Sequence, residues 1–336
     1  MLRPRSTSRA CRARRRRAVR GHVVLSVALA GLFAWSAAAA RAASRADTAT
    51  EPETGVLHTG SPDSTRSALS RLWELEARTR MGTFLFRPHR PNYVLLGRYS
   101  SDPNDRPITP TRGAAPEVGY DNIESKFQLS FKMKAAEGLF DHRVDLWFGY
   151  TQQSHWQVYN GAISRPFRET DHEPEFMIVA PVVCDVGPLR LRFLNLGLVH
   201  QSNGRSNPES RSWNRVYLQA GFERGRFALL ARPWYRFPES RDVDDNDDIQ
   251  NYVGRGDLLA IYGGRTHTLA MLVRNSLTFR NNRGSVQLDW SFPVASRLRG
   301  YVQAFSGHGE SLVDYNHRQT TIGLGVMLTD WILPAE

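Results

Sequence analysis

A histidine, a serine and an asparagine near the middle of the chain have the types and the spacing for nucleophilic chemistry. His200 and Ser202 are two residues apart, so on a β-strand their side chains leave the same face, about 7 Å apart at the backbone. Asn214 begins the next alternating segment after a polar loop, and it can lie beside His200 across the strand pair. A serine hydroxyl becomes a good nucleophile when a base accepts its proton and a third group orients that base. Ser202, His200 and Asn214 fit these three roles in that order.

The strands that carry these residues predict an unusual environment for them. The residues that precede His200 on its face are leucines, and Val216 and Leu218 follow Asn214 on its face. If the alternate polar columns line a wet interior, all three groups point at hydrocarbon, which is expected when the substrate is a lipid. A neutral amide suits such a face, since an unpaired carboxylate would be costly there. These residues alone leave a second interpretation open, in which His200 and Ser202 are ordinary polar groups where a strand leaves the membrane.

The basic composition of the chain belongs to its first 42 residues. The formal net charge is +11, and residues 1–42 contain ten arginines and no acidic residue, so the remainder is close to neutral. Charge therefore predicts no nucleic-acid partner for the mature chain. An arginine-rich start, the apolar run Val23–Ala40 and the small residues Ala40 and Ala42 predict a cleaved secretory signal peptide over 1–42, with an uncleaved anchor as the alternative. Of the two cysteines, Cys11 lies in this leader, so the mature chain keeps only Cys184 and has no internal disulfide.

The rest of the chain divides into a short extension and one β-rich domain. Residues 43–80 predict a flexible linker that ends in a short amphipathic helix over Leu69–Arg80, which acts as a plug or clamp before the barrel. Residues 81–336 form the β domain, and from Tyr93 onward no window of 18 uncharged apolar residues supports a membrane helix. About twelve alternating segments follow instead, for example Phe127 to Lys134.

An even number of alternating strands after a signal peptide is typical of a transmembrane antiparallel β-barrel in a bacterial outer membrane. A soluble β-sandwich would show the same alternation. Aromatic residues recur at the strand ends, among them Tyr150, Trp156, Trp234 and Tyr262, as interfacial girdles require, and they favour the membrane. The predicted fold is therefore an all-β transmembrane barrel of about 12 strands. Its last strand runs through Trp331 to Glu336, without the terminal aromatic residue usual for such barrels.

Four segments of the chain carry a resemblance to a known family. The central one, HQSNGRSNPESRSWNR at His200–Arg215, resembles the motif of bacterial outer-membrane phospholipase A. The others are FLFRPHRPNY at Phe84–Tyr93, SRPFRETDHEPE at Ser164–Glu175 and SGHGESLVDYNHRQTTIGLGVML at Ser306–Leu328. The resemblance implies a serine hydrolase that cleaves acyl esters of phospholipids and lysophospholipids (phospholipase A1 and A2 type). It also implies a His200, Ser202 and Asn214 triad.

The resemblance further implies a calcium site that stabilises the oxyanion. The matching positions are the carbonyl of Arg205 and Ser210 from one subunit, with Ser164 from the other; Asp245 matches an aspartate that the family offers to calcium outside the dimer site. The backbone N–H groups of Ser202 and Gly204 are expected to complete the oxyanion hole. From the residues alone, the acidic run around Asp245 lacks the glycine and glutamate of an EF-hand and is typical of a solvated loop.

Gln152 is a candidate for a subunit contact. It continues the apolar column of Val144 to Tyr150, so a lone amide points at lipid, where it can meet its own copy across a twofold axis. The other interpretation is that Gln152 lies at the membrane interface near the strand end. The resemblance implies that Gln152 lies at the dimer interface, and hence a homodimer on activation.

His172 is expected to lie in a loop with a structural role.

Two other functions stay open for this barrel. One is a non-enzymatic porin-like barrel or adhesin that keeps the scaffold without the chemistry. The other is a lipid A deacylase, which would release acyl chains from lipopolysaccharide but not from phosphatidylethanolamine.

Overall fold

The computed structural model describes residues 67–278, 281–295 and 298–332, without the side chain of His142. The predicted signal peptide over 1–42, the linker that follows it and the last four residues lie outside these ranges. The last strand ends at Thr329, so its predicted course through Trp331 is wrong. The boundary at residue 81 between extension and barrel stays a prediction.

The described residues form one helix, a helical turn, two 3-10 turns and fifteen strands. The helical elements are α1 Ala68–Trp73, the turn Leu139–His142, and the 3-10 turns Ala77–Thr79 and Ile249–Asn251. The strands are β1 Phe86–Pro88, β2 Asn92–Ser100, β3 Ile108–Thr109, β4 Gly113–Ala114, β5 Ile123–Gly138, β6 Val144–Trp156, β7 Glu169–Val186, β8 Leu189–Ser202, β9 Ser212–Arg224, β10 Phe227–Arg236, β11 Gly256–Gly263, β12 Thr268–Asn275, β13 Gly284–Pro293, β14 Arg299–His308 and β15 Arg318–Thr329.

Twelve of the strands in the described ranges close an antiparallel barrel, which confirms the predicted fold class. Each strand from β5 to β15 pairs with its neighbour in sequence, and β2 closes the ring between β15 and β5. Strand β1 is a thirteenth, short strand that pairs with the far end of β5, and β3 and β4 form a separate hairpin. Closure leaves none of the twelve as an open edge, so every strand can keep both ladders of backbone hydrogen bonds.

The alternation of side chains along each strand sorts polar groups into the lumen. On β5, Lys126, Lys132 and Lys134 point inward and have at most 1% of their surface exposed, whereas Leu129 between them points outward and is 53% exposed. Strand side chains alternate with period two, so an apolar outer wall and a polar lumen follow directly from this pattern. The alternation predicted for 127–134 is confirmed.

The segment before the barrel packs into the end of the lumen opposite Ser202. Ser67 caps α1, and both its hydroxyl and the Ala68 N–H donate to the carboxylate of Glu223 at the end of β9 (2.6 and 2.7 Å). Trp73 packs against lumen aromatic rings, and the ammonium of Lys132 lies 3.3 Å from the centroid of its indole.

The single helix predicted over Leu69–Arg80 is wrong in length. Glu74 adopts a left-handed conformation (φ 53°) that ends α1 after Trp73. No helix in the described part of the chain is long and apolar enough to cross a membrane.

Candidate active site

The predicted catalytic residues lie on the outer wall of the barrel, where β8 ends and β9 begins. In the register of these two strands His200 is opposite Asn214, and Ser202 is opposite Ser212. The next residues along the strands point into the lumen, where Gln201 accepts a hydrogen bond from the indole of Trp213 (2.9 Å). The alternation of the two strands therefore separates a lumen face from an outer face that carries His200, Ser202 and Asn214.

A chain of hydrogen bonds orients the imidazole of His200. Nδ1 of His200 lies 2.8 Å from Oδ1 of Asn214, and Nδ2 of Asn214 donates to Oε1 of Glu239 (2.9 Å). A carboxylate accepts and cannot donate, so the amide of Asn214 must turn its NH₂ to Glu239 and its oxygen to His200. That oxygen only accepts, which assigns the imidazole proton to Nδ1. Nε2 of His200 therefore carries a free lone pair, as a general base requires.

Ser202 stands at the point where the strand becomes a loop. Its Oγ accepts a hydrogen bond from the N–H of Gly204 (3.2 Å). Within the described residues the structure gives this oxygen no hydrogen bond to His200. The two side chains share the outer face one strand repeat apart, and contacts of this kind tighten when substrate binds. Gly204 has φ +62°, a left-handed conformation that turns its N–H towards Ser202 at no steric cost.

The loop that follows Ser202 is organised by Asn203, which points away from the outer face. This side chain is 5% exposed, and its Oδ1 accepts from the N–H groups of Arg211 and Arg205 (2.9 and 3.3 Å). Its Nδ2 donates to the Glu169 carboxylate and to the carbonyl of Glu209 (3.0 and 2.9 Å). These four contacts join both ends of the loop to β7 and hold Ser202 and Gly204 in place.

Two predicted calcium ligands meet in this loop region. The hydroxyl of Ser210 donates to Oδ2 of Asp245 (2.5 Å), and the guanidinium of Arg112 donates to Oδ1 of the same carboxylate (2.8 Å). Hydroxyl, carboxylate and carbonyl oxygens are the ligands that Ca²⁺ prefers, so the donor set fits this ion. Among the described residues no group of three or more His, Cys, Asp or Glu side chains is placed to hold a metal, and a complete site would need carbonyl and hydroxyl ligands as well.

The other two predicted ligands occupy separate loops. The guanidinium of Arg205 is used within the protein, because it pairs with Glu209 and donates to the carbonyl of Arg168 (2.6 Å). Ser164 lies in the loop before β7, where its carbonyl accepts from the indole of Trp156 (2.9 Å). The single chain thus brings Ser210 and Asp245 together, whereas Ser164 is predicted to serve the site of a second subunit.

Gln152 lies on the outer wall two strands away from Ser202. It is opposite His172 on β7, and His172 is in turn opposite Ser202, so one row of side chains crosses the three strands. The Gln152 amide contacts the hydroxyl of Tyr150 (3.3 Å) and that of Ser154 (3.2 Å). The loop position predicted for His172 is wrong: it lies in β7, and its Nδ1 is 2.7 Å from the Tyr150 hydroxyl.

Comparison with known proteins adds the family. A model of the family "Phospholipase A1" matches residues 69–328. The chain belongs to the phospholipase A1 family. It is 44% identical over 271 residues to a relative from Neisseria meningitidis serogroup B, an alignment that covers 78% of this chain and 70% of that protein. It is 36% identical over 247 residues to phospholipase A1 of Proteus vulgaris, covering 74% of this chain and 82% of that protein.

Among solved structures, the chain is similar to the outer membrane phospholipase of Salmonella typhi, which was solved as a dimer with bound calcium. The TM-score is 0.68 with 33% identity, and the match covers 78% of this chain and 98% of that one. The resemblance to outer-membrane phospholipase A that the central motif carries is therefore confirmed.

Three polar residues around this candidate site were not predicted from the sequence. Glu239 lies in the β10–β11 connection, Arg112 lies in the β3–β4 hairpin, and Asn203 directly follows Ser202 in the sequence. Glu239 and Arg112 are far from the central motif in the sequence, and their neighbours show no spacing that points to it. Asn203 could have been found from the sequence, because it alternates with Ser202 and therefore faces the interior. A polar side chain in that position needs hydrogen-bond partners there.

Proposed function

We propose that this protein is a calcium-dependent serine hydrolase of the bacterial outer membrane, exported with a cleaved signal peptide and active as a homodimer. Its substrates are the acyl esters of phospholipids and lysophospholipids, cleaved in phospholipase A1 and A2 fashion. The observation that carries the proposal is the contact between His200 and Asn214 beside Ser202 on the outer wall of the barrel. Family membership and the solved relatives support the same activity.

In the proposed reaction, Ser202 Oγ attacks the ester carbonyl while Nε2 of His200 accepts its proton. The Nδ1–H of His200 stays bonded to Asn214, which keeps the ring in the tautomer that leaves Nε2 free. His200 then returns the proton to the departing glycerol oxygen, and the acyl group stays on Ser202 until water releases it. The N–H of Gly204, which already points at Ser202 Oγ, donates to the oxyanion together with the N–H of Ser202.

The calcium site in this proposal is shared between two subunits. Ser210 and the carbonyl of Arg205 would be its ligands in one subunit, Ser164 would come from the other, and Asp245 would bind calcium from its position beside Ser210. Bound calcium supplies Lewis-acid stabilisation of negative charge on the reacting ester. A site with few charged ligands is weak until both subunits complete it. Gln152 lies at the proposed dimer interface, where a lipid-facing amide gains a partner from its own copy.

The test is fatty-acid release from phosphatidylethanolamine in mixed detergent micelles by the refolded mature protein. It is run with calcium, with a chelator, and with Ser202→Ala in calcium. Ser206→Ala is the matched control, since Ser206 is an exposed serine of the same loop. We expect fatty-acid release that requires both calcium and Ser202. The release rate of Ser206→Ala should stay within about twofold of the wild-type rate.

The same assay separates the other functions. A folded protein that releases no fatty acid from any lipid would contradict the proposal and leave a porin-like barrel. Release from lipopolysaccharide but not from phosphatidylethanolamine would instead identify a lipid A deacylase.

A further inference from the structure

The hydrogen bonds of His200 continue beyond Asn214 to a carboxylate in another loop. Oε1 of Glu239 accepts from Nδ2 of Asn214 at 2.9 Å. The segment that carries Glu239 is itself attached to Asn214, since the N–H of Phe237 donates to the backbone carbonyl of Asn214 (2.9 Å). One residue of β9 thus holds the loop through its backbone and the carboxylate through its side chain.

Glu239 keeps its charge free for this contact. The nearby arginines have other acidic partners: Arg236 pairs with Asp244, Arg241 with Asp247, and Arg112 with Asp245. In the described part of the chain no cation forms an ion pair with Glu239. A carboxylate without a cation favours positive charge close to it, and the nearest group that becomes positive during acyl transfer is the imidazole of His200.

The other charged or titratable groups around His200 come from several elements, and within the described residues none of them forms a hydrogen bond or an ion pair with its ring. On β7 His172 is bonded to Tyr150. In the loop after Ser202, Arg205 is paired with Glu209. In the loop of Glu239, the side chain of Asp242 is exposed to solvent. Arg215 on β9 points into the lumen. Glu239 is therefore the charged group that is joined to His200 through hydrogen bonds.

We propose that Glu239 is a positioning residue of the catalytic site, which extends the serine, histidine and asparagine to a fourth member. This inference rests on the proposed serine hydrolase function. The carboxylate holds the amide of Asn214 with its oxygen towards His200, and its charge stabilises the imidazolium that forms when Ser202 loses its proton. An aspartate in place of Asn214 would put that charge on the lipid-facing wall, where it is costly. Glu239 instead carries its charge in the loop after β10, beyond the end of the strand and one hydrogen bond further from His200 than Asn214.

Two substitutions separate the contact from the charge. Glu239→Gln keeps an oxygen that accepts from Asn214 and removes the charge, whereas Glu239→Ala removes both. Asp242→Asn is the matched control, because it removes one negative charge from the same loop at an exposed position that does not contact Asn214. The readouts are kcat, KM and the pH dependence of kcat/KM for phospholipid hydrolysis in calcium, with the thermal midpoint of each folded variant.

We expect Glu239→Gln to lower kcat about three- to tenfold with little change in KM, because the interaction is strongest in the transition state. The acid side of its pH profile should move to lower pH by roughly half a unit, since an imidazolium that loses a nearby anion is less stable. Glu239→Ala should show the same shift and a larger loss of kcat, because the amide of Asn214 is then free to rotate. Asp242→Asn should match the wild type in both measurements.

Wild-type activity with superimposable pH profiles for Glu239→Gln and Asp242→Asn would overturn the role of Glu239 alone. A folded wild type without any ester hydrolysis would overturn the proposed function as well. If Glu239→Ala fails to fold, the nearly isosteric Glu239→Gln decides the question.

Discussion

The two faces of β8 and β9 hold their polar side chains in different ways. On the lumen face, Gln201 accepts from both Trp213 and Arg215 (2.9 and 3.1 Å), and Arg215 also lies over the Trp213 ring. On the outer face, His200 is exposed and has Asn214 as its partner. The lumen side chains are thus held in one conformation by several contacts. His200 on the outer face has one partner, so its Nε2 stays free and its ring stays accessible.

The same contrast extends over the whole barrel. Glu310, in the β14–β15 loop, is buried in the lumen and bonds to Arg98 (2.9 Å) and Lys126 (3.1 Å). Buried charges are tolerated only when they are paired in this manner, so each charge of this lumen cluster is compensated inside the barrel. Polar groups are few on the outer wall, where each costs free energy, and this is the face that carries the proposed catalytic residues.

The strongest test of the difference between the two faces is His200→Ala on the outer face. Loss of the base should lower kcat for phospholipid hydrolysis by at least about 10³-fold, while stability changes little because the side chain is exposed. The measurement is steady-state fatty-acid release together with the thermal midpoint in detergent. A variant that loses its fold along with its activity would contradict the separation of the two faces.

The counterpart in the lumen is Glu310→Ala, which should act on stability. Removing this carboxylate leaves Arg98 and Lys126 without a shared anion, which costs about 3 kcal/mol in the free energy of unfolding. Urea unfolding in detergent micelles measures it. Asp185→Asn is the control, because its pair with Arg190 is exposed and should contribute at most about 1 kcal/mol.

The lumen carboxylates also predict how acid affects the barrel. Burial alone would raise the pKa of Glu310, but the charges of Arg98 and Lys126 outweigh it and lower that pKa. Burial alone would also raise the pKa of Asp314, but the charge of Arg168 and the hydrogen bond from Ser311 outweigh burial and lower that pKa. A carboxyl group whose pKa is lower in the folded than in the unfolded state stabilises the fold at pH values above its unfolded-state pKa of about 4. This stability is lost as the pH falls from there towards the folded-state pKa. Unfolding free energy should drop below about pH 4 in the wild type and less steeply in Glu310→Gln; parallel curves would contradict this.

A smaller effect is expected from Asn214→Ala on the outer face. The imidazole would lose the group that fixes its tautomer, so kcat should fall roughly 10- to 100-fold, less than after removal of the base itself. Single-turnover acylation by a chromogenic ester measures the step directly. A loss as large as that of His200→Ala would mean that Asn214 does more than orient the ring.

The smallest predicted effect concerns calcium. Arg112 donates to the Asp245 carboxylate beside Ser210, so it competes with a cation for the same oxygens. Arg112→Gln should tighten calcium binding about two- to fivefold by removing that competitor. Titration calorimetry or terbium luminescence measures the binding without catalysis. Arg106→Gln is the control for the loss of one positive charge, because Arg106 is an exposed arginine just before β3. Equal affinities for both variants would argue against competition.

Much of the outer face could be predicted because its signals are local. The alternation of Phe127 to Lys134 has period two, and this period is a property of any strand, so the inward and outward columns follow from the sequence. The spacing of His200 and Ser202 belongs to the same argument. The length of α1 was missed, since it depends on the backbone conformation of Glu74 and on the lumen groups that bind it.

By itself, the sequence determined about twelve alternating strands, each with one apolar face, and placed a histidine and a serine on the same face of one strand. These features depend on residues two apart or on one neighbouring strand. Only the tertiary structure decided that Glu239 stands behind Asn214 and that Arg112 occupies the carboxylate of Asp245. Both contacts join loops from different parts of the chain, and barrel closure sets which loops meet at one rim, so no local pattern in the sequence encodes them.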